Sequence, residues 1–378
     1  MARDSLFGET ILWSGRAKKV TVPFSNKVMA IVSAIVAVVT LGYAIVVSVS
    51  LDVSVSGMLV FAAWCATIAL GAWRIPLYWR AQVEYIVTDK HVIWRRGRIR
   101  RTIDRAAISY AIIRWNRRDP TSGDLVLIRA VPTGALRRTL SLTLSDVDAP
   151  DRLWAAVRGV ASGAPLGNGD RPLAQRLDEG ERVLWSAVPL ASTWTVRRSA
   201  MAIVGALVLA TFVDSMVRAI PAIARLARTH ALPTPMLALV AAIAGLGSCL
   251  LLAVAVGIGY AAFVRPVRLS RATRYYVTDT RVLIRRGDEE LHLDRSRITY
   301  VIDAPSGSAI TRDSTRVLHD VFLVLDGPQA RALAASGAFG SGNDALTDGG
   351  VLRPVFTAIL DAETVGQLLR QRRLDKAA

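Results

Sequence analysis

The sequence predicts an α+β membrane protein in which two transmembrane helical hairpins are each followed by a β-rich domain that ends in a helix. Three observations support this fold class. The 378-residue chain has four long apolar runs, three sequence blocks that occur twice in the same order, and strand-like alternation after each pair of runs. A hydrophobic content of 52% beside a net charge of +17 favours a membrane protein with basic parts in water.

The apolar runs form two pairs. Val28–Leu51 and Val53–Trp73 are separated only by Asp52, and a turn this short predicts an antiparallel hairpin. Ser199–Val217 and Met236–Val264 form the second pair. Since about 20 mostly apolar residues cross a hydrocarbon core, we expect four spans.

Basic residues cluster on the flanks next to the soluble domains. They are Arg16, Lys18, Lys19, Lys27, Arg74, Arg80, Arg197, Arg198, Arg265, Arg268, Arg271 and Arg274. By the positive-inside rule, this predicts a multi-pass protein of the cytoplasmic membrane, with both termini and both soluble domains in the cytoplasm. The loop between the third and fourth spans is an exception, since it holds Arg218, Arg225 and Arg228. We expect its segment Ile220–Leu226 to lie flat in the outer interface as an amphipathic turn.

The three matched blocks indicate an internal duplication. They pair Glu9–Ser14 with Glu181–Ser186, Tyr85–Gly97 with Tyr275–Gly287, and Ile103–Tyr110 with Leu293–Tyr300. The expected organisation is a lead-in (5–27), hairpin (28–73), domain (80–162), linker (163–175), second lead-in (176–198), second hairpin (199–264) and second domain (265–376), with a mobile insertion at 329–350. Further strands are expected at Asp124–Val131, Arg138–Leu144, Asp320–Leu325 and Val351–Thr357, and closing helices at Pro150–Val160 and Ala362–Arg373.

The soluble halves resemble the membrane-anchored bacterial pleckstrin-homology-like (PH-like) domain family, in two tandem copies. The residues that carry the resemblance are the Tyr-x-Val-Thr-Asp-x-(His/Arg)-Val-x-x-Arg-Arg-Gly block, the Asp-Arg block and the Glu-x-x-Leu-Trp-Ser lead-in. The resemblance implies a seven-stranded, strongly bent β-sheet or barrel capped by a C-terminal helix. It implies no enzyme activity and no particular ligand.

Several duplicated residues invite a functional interpretation and a structural one. The polar pairs are Thr88-Asp89 with Thr278-Asp279, and Asp104-Arg105 with Asp294-Arg295. An aspartate beside a tight turn usually accepts hydrogen bonds from its own backbone, and the Asp-Arg pairs are typical of a strand-edge ion pair or turn. Trp13 and Trp185 suit either partner recognition or, as we expect, anchoring at the membrane interface.

Neither a cofactor nor a metal is expected. The four histidines and two cysteines have no metal-ligand spacing, and no phosphate-binding loop or paired carboxylate motif is present. Asp214, near the end of the third span, suits ion transport, but pairing with Arg218 or solvation is the simpler interpretation.

The sharpest candidate site is a run of five arginines, Arg95, Arg96, Arg98, Arg100 and Arg101. Below a bilayer, such a cluster predicts binding to anionic lipid headgroups. The alternative is a solvated strand edge whose charge prevents aggregation. The second copy reverses the charge after its glycine, with Asp288, Glu289 and Glu290, so the two domains are expected to differ in their partners.

These patterns favour a non-enzymatic membrane scaffold. In this hypothesis two cytoplasmic PH-like domains assemble an unidentified protein partner or further copies of the chain, and the first also touches anionic lipid. A transporter or channel accessory built on the four spans is the alternative. Nucleic acid is not an expected partner, because no stacking aromatic residues accompany the arginine run.

Overall fold

A computed structural model describes residues 8–51, 54–129, 140–160, 167–190, 196–229, 233–306, 317–325 and 352–375. The chain divides into a helical unit, Val20–Ala81 with Arg197–Arg265, and a β-rich unit that holds most of the remainder. In chain order the main elements are β1 (Ile11–Arg16), α1 (Phe24–Leu51), α2 (Ser56–Ala81), β2 (Val83–Thr88), β3 (His91–Arg96), β4 (Ile99–Asp104), β5 (Tyr110–Asn116), β6 (Asp119–Arg129), β7 (Leu140–Asp148), α3 (Pro150–Arg158), β8 (Val183–Ala187), α4 (Val196–Arg228), α5 (Thr234–Gly259), a π-helical turn (Tyr260–Val264), α6 (Arg265–Arg271), β9 (Thr273–Thr278), β10 (Arg281–Arg286), β11 (Glu289–Asp294), β12 (Ile298–Pro305), β13 (His319–Leu325), β14 (Val355–Ile359) and α7 (Ala362–Asp375).

The helical unit contains four helices that are long and apolar enough to cross a membrane. They comprise Phe24–Val49, Ser56–Ala81, Arg198–Arg228 and Met236–Arg271. α1 and α2 pack along one another, as expected of a hairpin. α4 makes few close approaches to α5, one of them between Gly205 and Ile258.

The expectation of a separate amphipathic turn at Ile220–Leu226 is wrong, because α4 continues through it to Arg228. Its 33 residues span about 50 Å at about 1.5 Å per residue, against about 30 Å of hydrocarbon. Arg218, Arg225 and Arg228 therefore all lie in the last part of this long helix. Asp214 forms an i,i+4 ion pair with Arg218, with 2.9 Å between Oδ1 and Nε, which confirms the simpler interpretation of Asp214.

Each repeat of the β-rich unit contributes four strands, then three strands, then a helix. In repeat 1 these are β1–β4, β5–β7 and α3; in repeat 2 they are β8–β11, β12–β14 and α7. The predicted strands at 124–131, 138–144, 320–325 and 351–357 correspond to β6, β7, β13 and β14, with shifted ends. The insertion expected at 329–350 lies outside the described residues.

The two lead-ins belong to the sheets of the repeats. β1 pairs with β2 across the first hairpin, and β8 pairs with β9 across the second. Each helical hairpin is therefore inserted between the first and second strands of its repeat. The expectation that Trp13 and Trp185 anchor at the membrane interface is wrong, because both pack against the buried cores of the β-rich unit.

A single antiparallel sheet joins the two repeats. β5 of repeat 1 pairs with β11 of repeat 2, which gives the strand order β7-β6-β5-β11-β10-β9-β8. Side chains alternate along β5. Ile112 packs into a hydrophobic core formed mainly by repeat 2, whereas Ile113 packs into the core of repeat 1. β5 is thus buried on both faces, which explains its continuous apolar run. Both repeats therefore belong to one β-rich unit.

Candidate functional site

The residues duplicated between the repeats build a hydrogen-bond network in repeat 1. The buried Thr88 hydroxyl donates to Glu9 Oε2 at 2.6 Å, and His91 Nδ1 lies 2.8 Å from Glu9 Oε1. These contacts tie the lead-in to the β2–β3 turn. The hydrogen bond from Thr88, and then those with His91 and its charge, outweigh desolvation and lower the pKa of Glu9.

Repeat 2 makes the same network with arginine in place of histidine. Glu181 accepts from Thr278 Oγ1 at 2.5 Å and from Arg281 Nη2 at 2.7 Å. Burial alone would raise the pKa of Glu181, but the hydrogen bonds and charge of Arg281 lower it to about 2. The His/Arg alternation in the motif therefore exchanges one nitrogen-bearing partner of this glutamate for another.

The aspartate of each Thr-Asp pair accepts a hydrogen bond from the lead-in of its repeat, far away in sequence. Asp89 Oδ1 accepts from the backbone N–H of Thr10, and Asp279 Oδ1 accepts from that of Arg182. The structural interpretation of these aspartates is therefore confirmed, and the bond of Asp89 runs to the lead-in where one to its own turn was expected. A hydrogen bond to the lead-in is possible only because β1 and β2, far apart in sequence, are paired.

The arginine of each Asp-Arg pair links the closing helix to a turn of the sheet through hydrogen bonds. Arg105 donates to the carbonyl oxygens of Thr88 and Asp89 in the β2–β3 turn and of Ala156 and Val157 in α3, at 2.7–3.1 Å. Arg295 makes the equivalent bonds to the β9–β10 turn and α7. Of the two expectations for this pair, a turn is right for Asp104, whose side chain caps a 3₁₀ turn, and an ion pair is right for Asp294, whose Oδ1 lies 3.5 Å from Nη1 of Arg158. The arginine instead bridges carbonyl oxygens.

Metal-binding clusters are absent from the described part of the chain, where no three His, Cys, Asp or Glu side chains converge. Three of the histidines contact charged groups there: His91 pairs with Glu9, His319 with Asp303, and His292 accepts from Arg281. The motif residues therefore hold the fold together, and the candidate site must lie elsewhere.

The five arginines lie on the β3–β4 hairpin, where they occupy both faces of the strand pair. Arg95 stands opposite Arg100, while Trp94 stands opposite Arg101 on the other face. The guanidinium groups of Arg96 and Arg101 lie 6.0 and 5.7 Å from the Trp94 ring centroid, within cation–π range. Arg98 follows Gly97 at the turn, where the glycine has φ of +55°. The site is a positively charged hairpin tip rather than a one-sided patch.

The equivalent hairpin of repeat 2 is neutralised. Arg285 stands opposite Glu290, and their side chains lie 3.6 Å apart. In repeat 1 the same pair of positions holds two like charges, Arg95 and Arg100, an arrangement that costs up to about 1 kcal/mol in an antiparallel pair. The two hairpins thus share a backbone arrangement and differ in charge.

Sequence reasoning missed a buried charge cluster where the repeats meet. Glu290 is fully buried and accepts from Nη1 of the equally buried Arg176 at 2.9 Å, with a second bond from Nη2. The Arg176 guanidinium also lies 5.1 Å from the ring centroid of Trp115 in repeat 1. Residues 167–175 of the expected linker take part, since the carbonyls of Gly169 and Arg171 accept from a neighbouring arginine of β10.

Burial would raise the pKa of Glu290, but the nearby His292 and the charge and hydrogen bonds of Arg176 lower it to about 2. Burial lowers the pKa of His292. A neutral His292 can accept from Arg281 at Nδ1 and direct its Nε2 proton toward Glu290, 3.6 Å away. The only sequence signal for this cluster was the reversal of charge after Gly287. It became interpretable only when the structure placed β11 against β5.

The chain matches no protein-family model, no curated protein and no solved structure.

Proposed function

We propose that the chain is a non-enzymatic scaffold of the cytoplasmic membrane. In this proposal, two PH-like repeats face the cytoplasm, present surfaces for protein assembly, and contact anionic lipid through the β3–β4 hairpin of repeat 1. Support for a PH-like fold comes from the strand count, since each repeat has seven strands and a closing helix. The four apolar helices support anchoring in a membrane.

One observation carries the proposal. The residues that recur in both repeats bond to each other and to the backbone, whereas the exposed residues of the β3–β4 hairpin differ in charge from their counterparts. A motif that serves the fold is retained in both copies, and the surface that departs from it is the better candidate for function. Four consecutive residues of β4, Ile99 to Thr102, are exposed.

The transporter alternative loses one of its two motives, which are Asp214 as a functional intramembrane charge and the glycine-rich fourth span. The Asp214 carboxylate pairs with Arg218 one helical turn away. Such an i,i+4 pair explains the residue without ion movement.

The lipid part of the proposal is tested with the full chain in a neutral detergent. Water-soluble short-chain phosphatidylglycerol and phosphatidylcholine are titrated at low and high salt. We expect salt-sensitive binding of phosphatidylglycerol only, because the Debye length falls from about 10 Å at 0.1 M to about 3 Å at 1 M salt. Changing Arg95→Gln and Arg98→Gln together removes about 1 kcal/mol per arginine, or about thirtyfold in affinity.

The matched control changes two exposed arginines of repeat 1 that lie off the hairpin, Arg118→Gln and Arg129→Gln. It makes the same change in net charge and should leave the affinity nearly unchanged. Equal loss in both variants would reduce the effect to general charge, and equal binding of both lipids would refute headgroup recognition.

A further inference from the structure

Two strands have counterparts in the other repeat that differ from them in pairing. The fourth strand of repeat 2, β11, pairs with the fifth strand of repeat 1, β5. Their counterparts are β4 in repeat 1 and β12 in repeat 2. Within the described residues each of these pairs on one side only, β4 with β3 and β12 with β13. Among the strands that the structure describes, one copy therefore has one edge of each kind that no other strand pairs.

The burial of the strands follows this pairing. Residues Glu290 to Leu293 of β11 are buried, whereas Ile99 to Thr102 at the start of β4 are exposed. Residues Tyr110 to Ile113 of β5 are likewise buried, whereas β12 is half-buried or exposed throughout. Both open edges thus expose surface that the joined edges cover, including Ile99 at 50% and Tyr300 at 40% of their areas.

We propose that β4 of one copy pairs with β12 of a second copy, in the antiparallel register that β11 and β5 use within the chain. This inference rests on the proposed scaffold function and names a second copy of the chain as the partner. The internal ladder pairs Glu289 with Arg114, Glu290 with Ile113, Leu291 with Ile112 and His292 with Ala111. At the corresponding positions of the matched blocks, the intermolecular ladder pairs Ile99 with Ala304, Arg100 with Asp303, Arg101 with Ile302 and Thr102 with Val301.

Charge complementarity selects this pairing. Within the chain, basic β5 meets acidic β11, with 3.1 Å between Arg114 Nε and Glu289 Oε1. Between copies, basic β4 would meet β12, whose one charged residue, Asp303, falls opposite Arg100. Asp303 contacts His319 on its own sheet at 2.8 Å and keeps 39% of its side chain exposed. It is therefore accessible to a second cation.

The competing pairings are disfavoured. Two β4 edges would oppose arginine with arginine. In the same register, β4 against β5 of another copy would place Arg114 opposite Ile99, next to Arg100, and would offer no acidic partner. Like charges across strands are destabilising. Pro305 lacks an N–H and lies one position beyond the last pair of the proposed ladder. The bond that the Trp115 N–H donates to the Asp288 carbonyl inside the chain therefore has no counterpart between copies, and the intermolecular ladder ends at Ala304.

Pairing of unlike edges is head-to-tail. Each added copy leaves one β4 and one β12 edge open, so the contact is heterologous and extends into a row unless the rotation closes a ring. Strand addition of this kind gains main-chain hydrogen bonds along the ladder. A scaffold with this property would present its repeats at a repeated spacing in the membrane plane.

Energy transfer between full-length copies in phosphatidylcholine liposomes tests the proposal. Half the copies carry a donor and half an acceptor at the amino terminus, and the neutral lipid removes competition by anionic headgroups. We expect transfer above the random level, with affinity about tenfold weaker in either Arg100→Glu or Asp303→Arg. The double variant Arg100→Glu/Asp303→Arg restores an opposite-charge pair and should recover the wild-type signal. Arg129→Glu, on the internal strand β6, is the matched control.

Recovery in the double variant excludes misfolding as the cause of the loss in either single variant. The proposal is overturned if the wild type gives only random transfer, or if transfer survives both single variants, which would place association on another surface. Random transfer together with intact phosphatidylglycerol binding would remove this inference and leave the lipid part of the proposed function standing.

Discussion

Replacing Glu290 with glutamine is the sharpest test of how the two repeats are joined. Glu290 has no exposed side-chain area and Arg176 has 1%, so neither charge is solvated by bulk water. Glu290→Gln keeps the shape of the side chain and removes its charge, which leaves the arginine buried without its main counter-ion. Loss of one partner of a buried ion pair typically costs about 3–5 kcal/mol.

This cost falls on the β5–β11 ladder, because Glu290 lies within it. Amide hydrogen exchange of the full chain in detergent, followed by mass spectrometry, measures local opening of these strands. If the free energy of local opening falls by about 3 kcal/mol or more, amide exchange in β5 and β11 becomes faster by about two orders of magnitude. β13, which lies in a different sheet, should change much less.

Two variants control for other causes. Changing Arg176→Met together with Glu290→Gln removes both charges of the pair and should recover most of the lost protection, since no counter-ion is then missing. Asp148→Asn breaks an exposed pair with Lys18; the side chain of Asp148 is 68% exposed and that of Lys18 is 40% exposed. This change should barely alter exchange, because solvent screens the pair. The reasoning is refuted if Glu290→Gln changes exchange no more than Asp148→Asn does.

Two further predictions concern the folded β-rich unit. Because burial lowers the pKa of His292 in the folded state, the unfolded chain binds its proton first, and stability should fall as the pH drops below 6.5. Glu181 and Glu290 have pKa values of about 2 in the folded state against an ordinary 4.5, so the unfolded chain takes up protons first and stability should fall more steeply below pH 4.5. Melting temperatures measured from pH 7 to 3 should show both losses of stability. Arg105→Ala should destabilise the chain in denaturant by about 2–3 kcal/mol, because four carbonyl oxygens lose a charged donor. Arg105→Lys should rescue little of this, since one ammonium group lacks the fork of donors that reaches both the turn and α3; full rescue would contradict the bridging role.

Local patterns predicted the parts of the fold that depend on neighbouring residues. The four apolar helices, the β2–β3 and β9–β10 turns and the closing helices follow from hydropathy, turn chemistry and periodicity. Trp13 shows where such reasoning fails. Its position beside a span suggested an interface anchor, but its surroundings are set by pairing of β1 with a strand on the far side of a helical hairpin.

Glu290 shows a second limit. From sequence it was one of three acidic residues that reverse the charge after Gly287, and the residue is buried because β5 of the other repeat covers β11. The charges that accompany this pairing, basic on β5 and acidic on β11, are visible in the sequence. Their meaning depends on knowing which two strands are adjacent, and neither hydropathy nor spacing determines that.

Accessibility of single cysteines most directly tests whether the chain is anchored in a membrane with both repeats in the cytoplasm. Cys65→Ala and Cys249→Ala provide the background, and the new sites are Ser54→Cys between the first two spans, Arg118→Cys in repeat 1 and Thr364→Cys in repeat 2, all at exposed positions. In intact cells, a membrane-impermeant thiol reagent should label only Ser54→Cys, and permeabilisation should expose the other two. Labelling of either repeat from outside would contradict the cytoplasmic orientation, and labelling of one repeat without the other would contradict the shared sheet.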